Sequence, residues 1–165
     1  MNLLERFQEV TTFVFDVDGV LTDNTVLVTE EGHQLRAMNV RDGYAIKRAI
    51  DEGFKIAVIT GGKSEGVIKR LQGLGITEVF TGIHDKQVAL EDYLFHHSLD
   101  VNQVLYMGDD IPDVPPMRLV ALPCCPSDAC NEVMQIAKYV SPFTGGRGCV
   151  RDVIEKVLLL NGKWG

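Results

Sequence analysis

Three short apolar runs in this chain each end in a polar signature, and that pattern narrows the fold more than any other feature. Thr12–Val17 (TFVFDV) leads into Asp18-Gly19, Lys55–Thr60 (KIAVIT) into Gly61-Gly62, and Gln103–Met107 (QVLYM) into Gly108-Asp109-Asp110. Runs of this length, rich in Val, Ile and aromatic residues, read as buried strands. Glu78–Gly82 (EVFTG) is a shorter strand of the same kind, and Leu119–Leu122 a fifth. Helical stretches alternate with them: Asp42–Glu52, stopped by Gly53; Ser64–Gln72, with Ser64 as N-cap; Lys86–His97; Asp128–Ala137; and Arg151–Leu160, before Asn161-Gly162. The alternation predicts an α/β fold, a doubly wound, mostly parallel Rossmann-like sheet with helices on both faces. Thr25–Thr29 and His33–Asn39, joined by Glu30-Glu31-Gly32, break the rhythm and predict a β-hairpin at about residues 25–39, inserted after the first strand. A length of 165 residues suits a single domain over 1–165.

In parallel α/β sheets the ligand site lies beyond the carboxyl ends of the strands. The three polar signatures therefore converge on one crevice. Asp16 and Asp18, two apart on an extended chain, point to the same side. Carboxylates held that close repel one another. A divalent cation compensates, and Asp109 on a neighbouring strand end adds a third source of oxygen. Mg²⁺ takes such hard oxygen ligands and keeps room for water and phosphate oxygens.

With a metal at Asp16, Asp18 and Asp109, the chemistry is phosphoryl transfer to water. Asp16 is the candidate nucleophile. Asp18 is the candidate general acid for the leaving alkoxide, and then the base for the water that hydrolyses the aspartyl-phosphate. Thr60 offers a hydroxyl to the phosphoryl oxygens, and Lys86 a compact positive charge. Each piece alone is weak: a strand-end Asp often only caps a turn, and a lone Lys is usually solvated. Their order, spacing and strand-end placement together carry the reading.

Composition excludes several other classes. The net charge is −7 and no Lys/Arg cluster is present, which argues against a nucleic-acid partner. No stretch approaches the ~20 apolar residues of a membrane span. The N-terminal MNLLERFQEV, with Glu5, Arg6 and Glu9, lacks the form of a secretory signal, so a cytoplasmic location is expected. Cys124, Cys125, Cys130 and Cys149 lack the paired C-x₂-C of a zinc site and read as reduced thiols.

The run Phe15-Asp16-Val17-Asp18-Gly19-Val20-Leu21-Thr22 resembles motif I of the haloacid dehalogenase superfamily of phosphatases. Thr60, Lys86 and Gly108-Asp109-Asp110-Ile111-Pro112-Asp113 resemble its motifs II, III and IV. The resemblance implies Mg²⁺ ligated by the carboxylates of Asp16 and Asp109 and the backbone carbonyl of Asp18, with Asp110 and Asp113 as supporting acids. Asn39-Val40-Arg41-Asp42-Gly43-Tyr44, the hairpin, and Gly145-Gly146-Arg147-Gly148-Cys149-Val150-Arg151 are similar to the 3-deoxy-D-manno-octulosonate 8-phosphate phosphatase family.

That likeness implies a small enzyme with no separate cap domain, a homotetramer in which each hairpin closes a neighbour's site, and a role in lipopolysaccharide precursor synthesis. Neither the interval from Asp16 to Thr60 nor that from Thr60 to Lys86 can hold an additional domain, which agrees with a capless form. The substrate is then a sugar-acid phosphate, touched by Asn39, Val40, Arg41, Asp42 and Gly43, by Lys47 and Arg70, and by Asp18 and Lys86. The sequence departs from the family pattern at Gly62, where Arg is common, at Lys47, where Arg is common, and at Cys149, where Ala is usual. Two alternatives stay open: a phosphatase of a nine-carbon sialic-type acid 9-phosphate, and a non-catalytic oligomerisation module of the same fold. A phospho-acceptor receiver domain is disfavoured, because it has no use for the leaving-group acid Asp18.

Overall fold

The structure, a computed structural model, describes residues 1–165. In chain order the elements are helix α1 (Leu3–Glu9), strand β1 (Thr12–Phe15), the hairpin β2 (Leu27–Val28) and β3 (Gln34–Leu35), α2 (Val40–Asp51), β4 (Lys55–Ile59), α3 (Glu65–Gly73) and β5 (Glu78–Phe80). They continue with α4 (Lys86–His96), β6 (Val104–Met107), α5 (Val114–Leu119), β7 (Leu122–Cys125), α6 (Asn131–Ile136), β8 (Tyr139–Val140) and α7 (Cys149–Leu160).

One six-stranded sheet has the order β5-β4-β1-β6-β7-β8, and every pairing in it is parallel. The antiparallel β2–β3 hairpin stands outside it. Side chains on each strand alternate between two cores. Phe13, Phe15, Val58, Leu105 and Met107 pack on one face with Ala45 and Ile46 of α2 and Val153 and Val157 of α7. Val14, Ala57, Ile59 and Tyr106 pack on the other with Leu90, Met117 and Val133 of α4, α5 and α6. Burial on both faces explains why the strands read as continuous apolar runs rather than alternating ones.

The strand expected at Leu119–Leu122 lies later, at Leu122–Cys125. Val114–Leu119 is helical instead, with Pro in its first turn, where the missing N–H costs nothing. The strand that follows was masked by Pro123, a residue poor in strand propensity. A sixth strand, Tyr139–Val140, is only two residues long and left no periodic trace. Helix α1 is seven residues, closed by a capping box between Asn2 and Glu5.

Disregarding the hairpin, the strand order is that of the doubly wound fold, and it reverses between β1 and β6. Ligands bind at that reversal, where connections leave in opposite directions and open a crevice. The register sets Phe15 beside both Val58 and Met107. The segments that follow β1, β4 and β6 therefore emerge at one level.

Candidate active site

Asp16 leaves the end of β1 almost wholly buried, with its Oδ1 accepting from the N–H of Val17 at 2.7 Å. The chain then turns sharply through Gly19, at φ +89. A Cβ there would stand 1.8 Å from Asp109 Oδ2, so only glycine lets the Asp109 carboxyl lie over this loop. The far end of the chain braces the turn. Gly146 N–H donates to Val20 O at 3.0 Å, Cys149 Sγ lies 3.3 Å from the same oxygen, and a Cβ on Gly145 would meet Gly19 O at 2.0 Å. The Gly145–Arg151 motif thus supports the loop that carries Asp16 and Asp18.

Lys86, the first residue of α4, reaches into this crevice. Its Nζ stands 3.0 Å from Asp16 Oδ1 and donates to Asp113 Oδ1 at 2.9 Å. Asp113 is fully buried and fully used: Tyr106 donates its hydroxyl to Oδ1 at 2.8 Å, and Asp109 N–H donates to Oδ2 at 3.0 Å. Burial disfavours the Lys86 ammonium, but the charges of Asp113 and Asp16 outweigh it and raise its pKa. Burial, and then the charge of Asp113, push Asp16 well above the usual carboxylate range. The same two causes push Asp109 up to about 7. The site holds more negative charge than one ammonium can offset.

That surplus fits a hard divalent cation. Ligand oxygens of Asp16, Asp109 and Asp113 lie within 4.8 Å of one another. Asp109 Oδ1 is buried with no hydrogen-bond partner, although buried acceptors are nearly always satisfied. The oxygens of Asp113 are already committed to Lys86, Tyr106 and Asp109 N–H, so Asp16 and Asp109 are the side chains free to ligate. The Asp18 carboxylate points elsewhere, towards the hairpin.

One cleft of about 350 Å³ is lined by Asp16, Asp18, Thr60, Lys86, Asp109, Asp110 and Asp113, together with Gly61, Gly62 and Pro112. Thr60 Oγ1 accepts from Gly62 N–H at 3.1 Å, which fixes the hydroxyl at the mouth of β4. Asp110 caps the turn Ile111–Asp113, accepting from Ile111 N–H at 2.8 Å. Asn24 and His84 also line the cleft and were not foreseen. The positive φ of 71° at Asn24 marks a turn that a sequence reading could have noticed only as an Asn in a loop.

The residues expected to touch substrate separate into groups. Val40 and Arg70 line a groove of about 1080 Å³ beside the cleft, under the hairpin. Arg70 crosses α2 at Gly43, where a Cβ would stand 2.6 Å from Arg70 Nη2. Asn39 caps α2 through Asp42 N–H at 2.9 Å. The Asp42 carboxyl is buried and accepts from Arg151 N–H at 2.9 Å, so it ties α2 to α7 rather than facing the groove. Arg41 lines a separate hollow with Tyr44, Arg151 and Trp164, and Lys47 is exposed on α2 and lines none of the three. Arg36, just past β3, was missed entirely: it forms a two-pronged ion pair with Asp18 at 2.8 and 3.2 Å. The local string HQLRAMN gives no sign of where that side chain goes.

No protein-family model matches the chain. It is 37% identical over 162 residues to the 3-deoxy-D-manno-octulosonate 8-phosphate phosphatase KdsC of Escherichia coli (strain K12), covering 98% of this chain and 86% of that protein. It matches the crystal structure of 3-deoxy-D-manno-octulosonate 8-phosphate phosphatase from Yersinia pestis with a TM-score of 0.95 and 37% identity, over 98% of this chain and 87% of that one. The corresponding phosphatase of Moraxella catarrhalis, in complex with magnesium ion, phosphate ion and KDO, gives a TM-score of 0.92 and 30% identity, over 95% and 90% of the two chains.

The doubly wound sheet, with a buried aspartate and lysine meeting at its strand reversal, defines a phosphatase of the haloacid dehalogenase superfamily. Within that class the chain belongs to the 3-deoxy-D-manno-octulosonate 8-phosphate phosphatase family.

Proposed function

We propose that the chain hydrolyses 3-deoxy-D-manno-octulosonate 8-phosphate to the free sugar acid and phosphate, using Mg²⁺ and an aspartyl-phosphate at Asp16. The observation that carries this reading is the buried junction of Asp16 and Lys86, 3.0 Å apart, beside the unpartnered oxygen of Asp109. Its substrate and metal are supported by the relative from Moraxella catarrhalis, which holds magnesium, phosphate and KDO.

Asp16 and Asp109 would hold the Mg²⁺, together with the backbone carbonyl of Asp18. Bound there, the ion would offset the repulsion between a carboxylate nucleophile and an anionic ester. The remaining work falls to the chain. Lys86, kept charged by Asp113, draws the phosphoryl group towards Asp16, and the Thr60 hydroxyl orients its oxygens. As the Asp16–phosphorus bond forms, the ester P–O bond breaks, and its electron pair leaves with the sugar oxygen, which takes a proton from Asp18. Asp18 then removes a proton from the water that releases phosphate and restores Asp16. The groove bearing Val40, Lys63 and Arg70 receives the sugar acid, its carboxylate meeting guanidinium.

The chain functions as one domain over residues 1–165, in the cytoplasm, as a homotetramer whose hairpins cover neighbouring sites. The hairpin supports that last statement: Leu27, Val28 and Leu35 are 69, 63 and 52% exposed, an apolar surface that water disfavours. No helix is long and apolar enough to cross a membrane. Assaying the purified chain with Mg²⁺ against the eight-carbon ester and a nine-carbon sialic-type 9-phosphate tests the reading. Preference for the eight-carbon ester is expected. Preference for the nine-carbon ester would move the substrate, and no turnover of any ester would leave a non-catalytic module.

A further inference from the structure

Arg36 springs from the outer hairpin, yet its guanidinium reaches Asp18 of the catalytic cleft with two of its nitrogens. Nε donates to Asp18 Oδ1 at 2.8 Å, Nη2 to Asp18 Oδ2 at 3.2 Å, and Nη1 to the carbonyl of Gln34 at 3.1 Å. The side chain is only 9% exposed. Gly62 lies beside it, and a side chain longer than a methyl group there would compete for the same volume. A Cβ on Gly62 would stand 3.5 Å from Arg36 Nη2, 3.5 Å from Thr60 Oγ1 and 3.8 Å from Asp18 Oδ2. Gly62 is the position where the family resemblance leads one to expect arginine. In this chain the cationic group reaches that volume from a different element.

The geometry has a consequence for Asp18. Both of its carboxylate oxygens accept from the guanidinium fork, and a carboxyl that carried the acid's proton could no longer accept from both prongs. An acid catalyst must bring one oxygen within hydrogen-bond reach of the ester oxygen. Arg36 must therefore let go before Asp18 can act. A planar fork binds carboxylates in two-pronged fashion, so the group best matched to displace Asp18 is another carboxylate. Arg36 also lines the groove of about 1080 Å³ that holds Lys63 and Arg70. A sugar acid with its phosphate at Asp16 can extend its carboxylate into that groove. A neutral sugar phosphate brings no such group.

We propose that Arg36 is a specificity-determining residue, holding Asp18 away from the leaving group until a substrate carboxylate takes over its guanidinium. The exchange replaces one carboxylate by another on the same donors, and the freed Asp18 takes from solvent the proton that it then gives to the leaving oxygen. This inference rests on the sugar-acid phosphatase reading above, and the two can fail separately.

The test is steady-state kinetics of the wild type, Arg36→Ala and Arg36→Lys on the eight-carbon sugar-acid phosphate and on a neutral hexose phosphate. Wild type should favour the acid ester. Arg36→Ala should raise kcat on the neutral ester about tenfold or more, because Asp18 is free, and raise KM for the acid ester by a similar factor, about the worth of one charge-assisted pair. Arg36→Lys should fall between, since an ammonium keeps the charge but not the fork. Arg36→Gln gives the same reading should the alanine variant fail to fold. Neutral-ester kcat that is unchanged or lower in the folded neutral variants overturns the proposal while leaving the phosphatase reading intact. A wild type that hydrolyses no sugar-acid phosphate overturns both.

Discussion

Asp113 Oδ1 accepts a hydrogen bond from Lys86 Nζ at 2.9 Å, and the same ammonium stands 3.0 Å from Asp16 Oδ1. The lysine is thus shared between an acid that positions it and an acid that we propose reacts. Tyr106 and the N–H of Asp109 hold Asp113 from its other sides, so the network ties the exit of β6 to the start of α4.

Asp113→Ala should therefore damage both fold and turnover. It leaves Lys86 a buried charge with one partner fewer, which costs about 3–5 kcal/mol. Denaturant melts should show that loss, and kcat should drop at least about tenfold as Lys86 drifts from Asp16. Tyr106→Phe removes one neutral donor and should cost about 1 kcal/mol, with kcat little changed. Equal effects of the two substitutions would mean that Asp113 does not set the position of Lys86.

The metal site predicts a pH signature. Burial, and then the charge of Asp113, push Asp109 up to about 7 from its usual 3.8. An acid that holds its proton more tightly when folded adds stability that is full below its unfolded pKa and is lost as pH rises through the folded one. Metal-free protein should thus lose thermal stability relative to Asp109→Asn as pH rises from about 4 through about 7. Mg²⁺ takes the place of that proton, so it should raise the melting temperature more at about pH 8 than at about pH 5. Melts with Mg²⁺ and with chelator measure this, and a Mg²⁺ effect independent of pH would contradict it.

Gly19→Ala should strike the same site from the backbone. The residue sits at φ +89 and its Cβ would fall 1.8 Å from Asp109 Oδ2. The left-handed conformation alone costs about 1–2 kcal/mol for a side-chain-bearing residue. Displacement of Asp109 should add at least about a tenfold loss of Mg²⁺ affinity, readable by titration calorimetry. Normal affinity would show that Asp109 is not a ligand.

Asp18→Asn should slow phosphoenzyme formation and breakdown together, each by about 10²–10⁴-fold, because one carboxyl serves as acid and then as base. Rapid-quench measurements separate the two steps. An effect on only one of them would restrict Asp18 to half of its proposed role.

Much of this was legible in the sequence, for a definite reason. Asp16, Thr60 and Asp109 follow apolar runs, and a parallel sheet brings the ends of such runs to one level whatever lies between. Lys86 was placed by its rank in that order. Directions of side chains were another matter. Asp42, expected at the substrate, turns inward to the N–H of Arg151, a contact across 109 positions that local spacing does not encode. Arg36 depends on how a two-residue strand pair leans over the sheet, and Gly62 hid its meaning, since an absent side chain says nothing about what fills the space. The strand Leu122–Cys125 was displaced in the reading because Pro123 interrupts a run that is buried on both faces.

The central claim is that Asp16 becomes phosphorylated during turnover. Acid quenching of the wild type with Mg²⁺ and radiolabelled sugar-acid phosphate, followed by peptide mapping, tests it directly. The account predicts label on the peptide containing Asp16, appearing and clearing more slowly in Asp18→Asn and absent in Asp16→Asn. Label on another residue, or full turnover by Asp16→Asn, would contradict it.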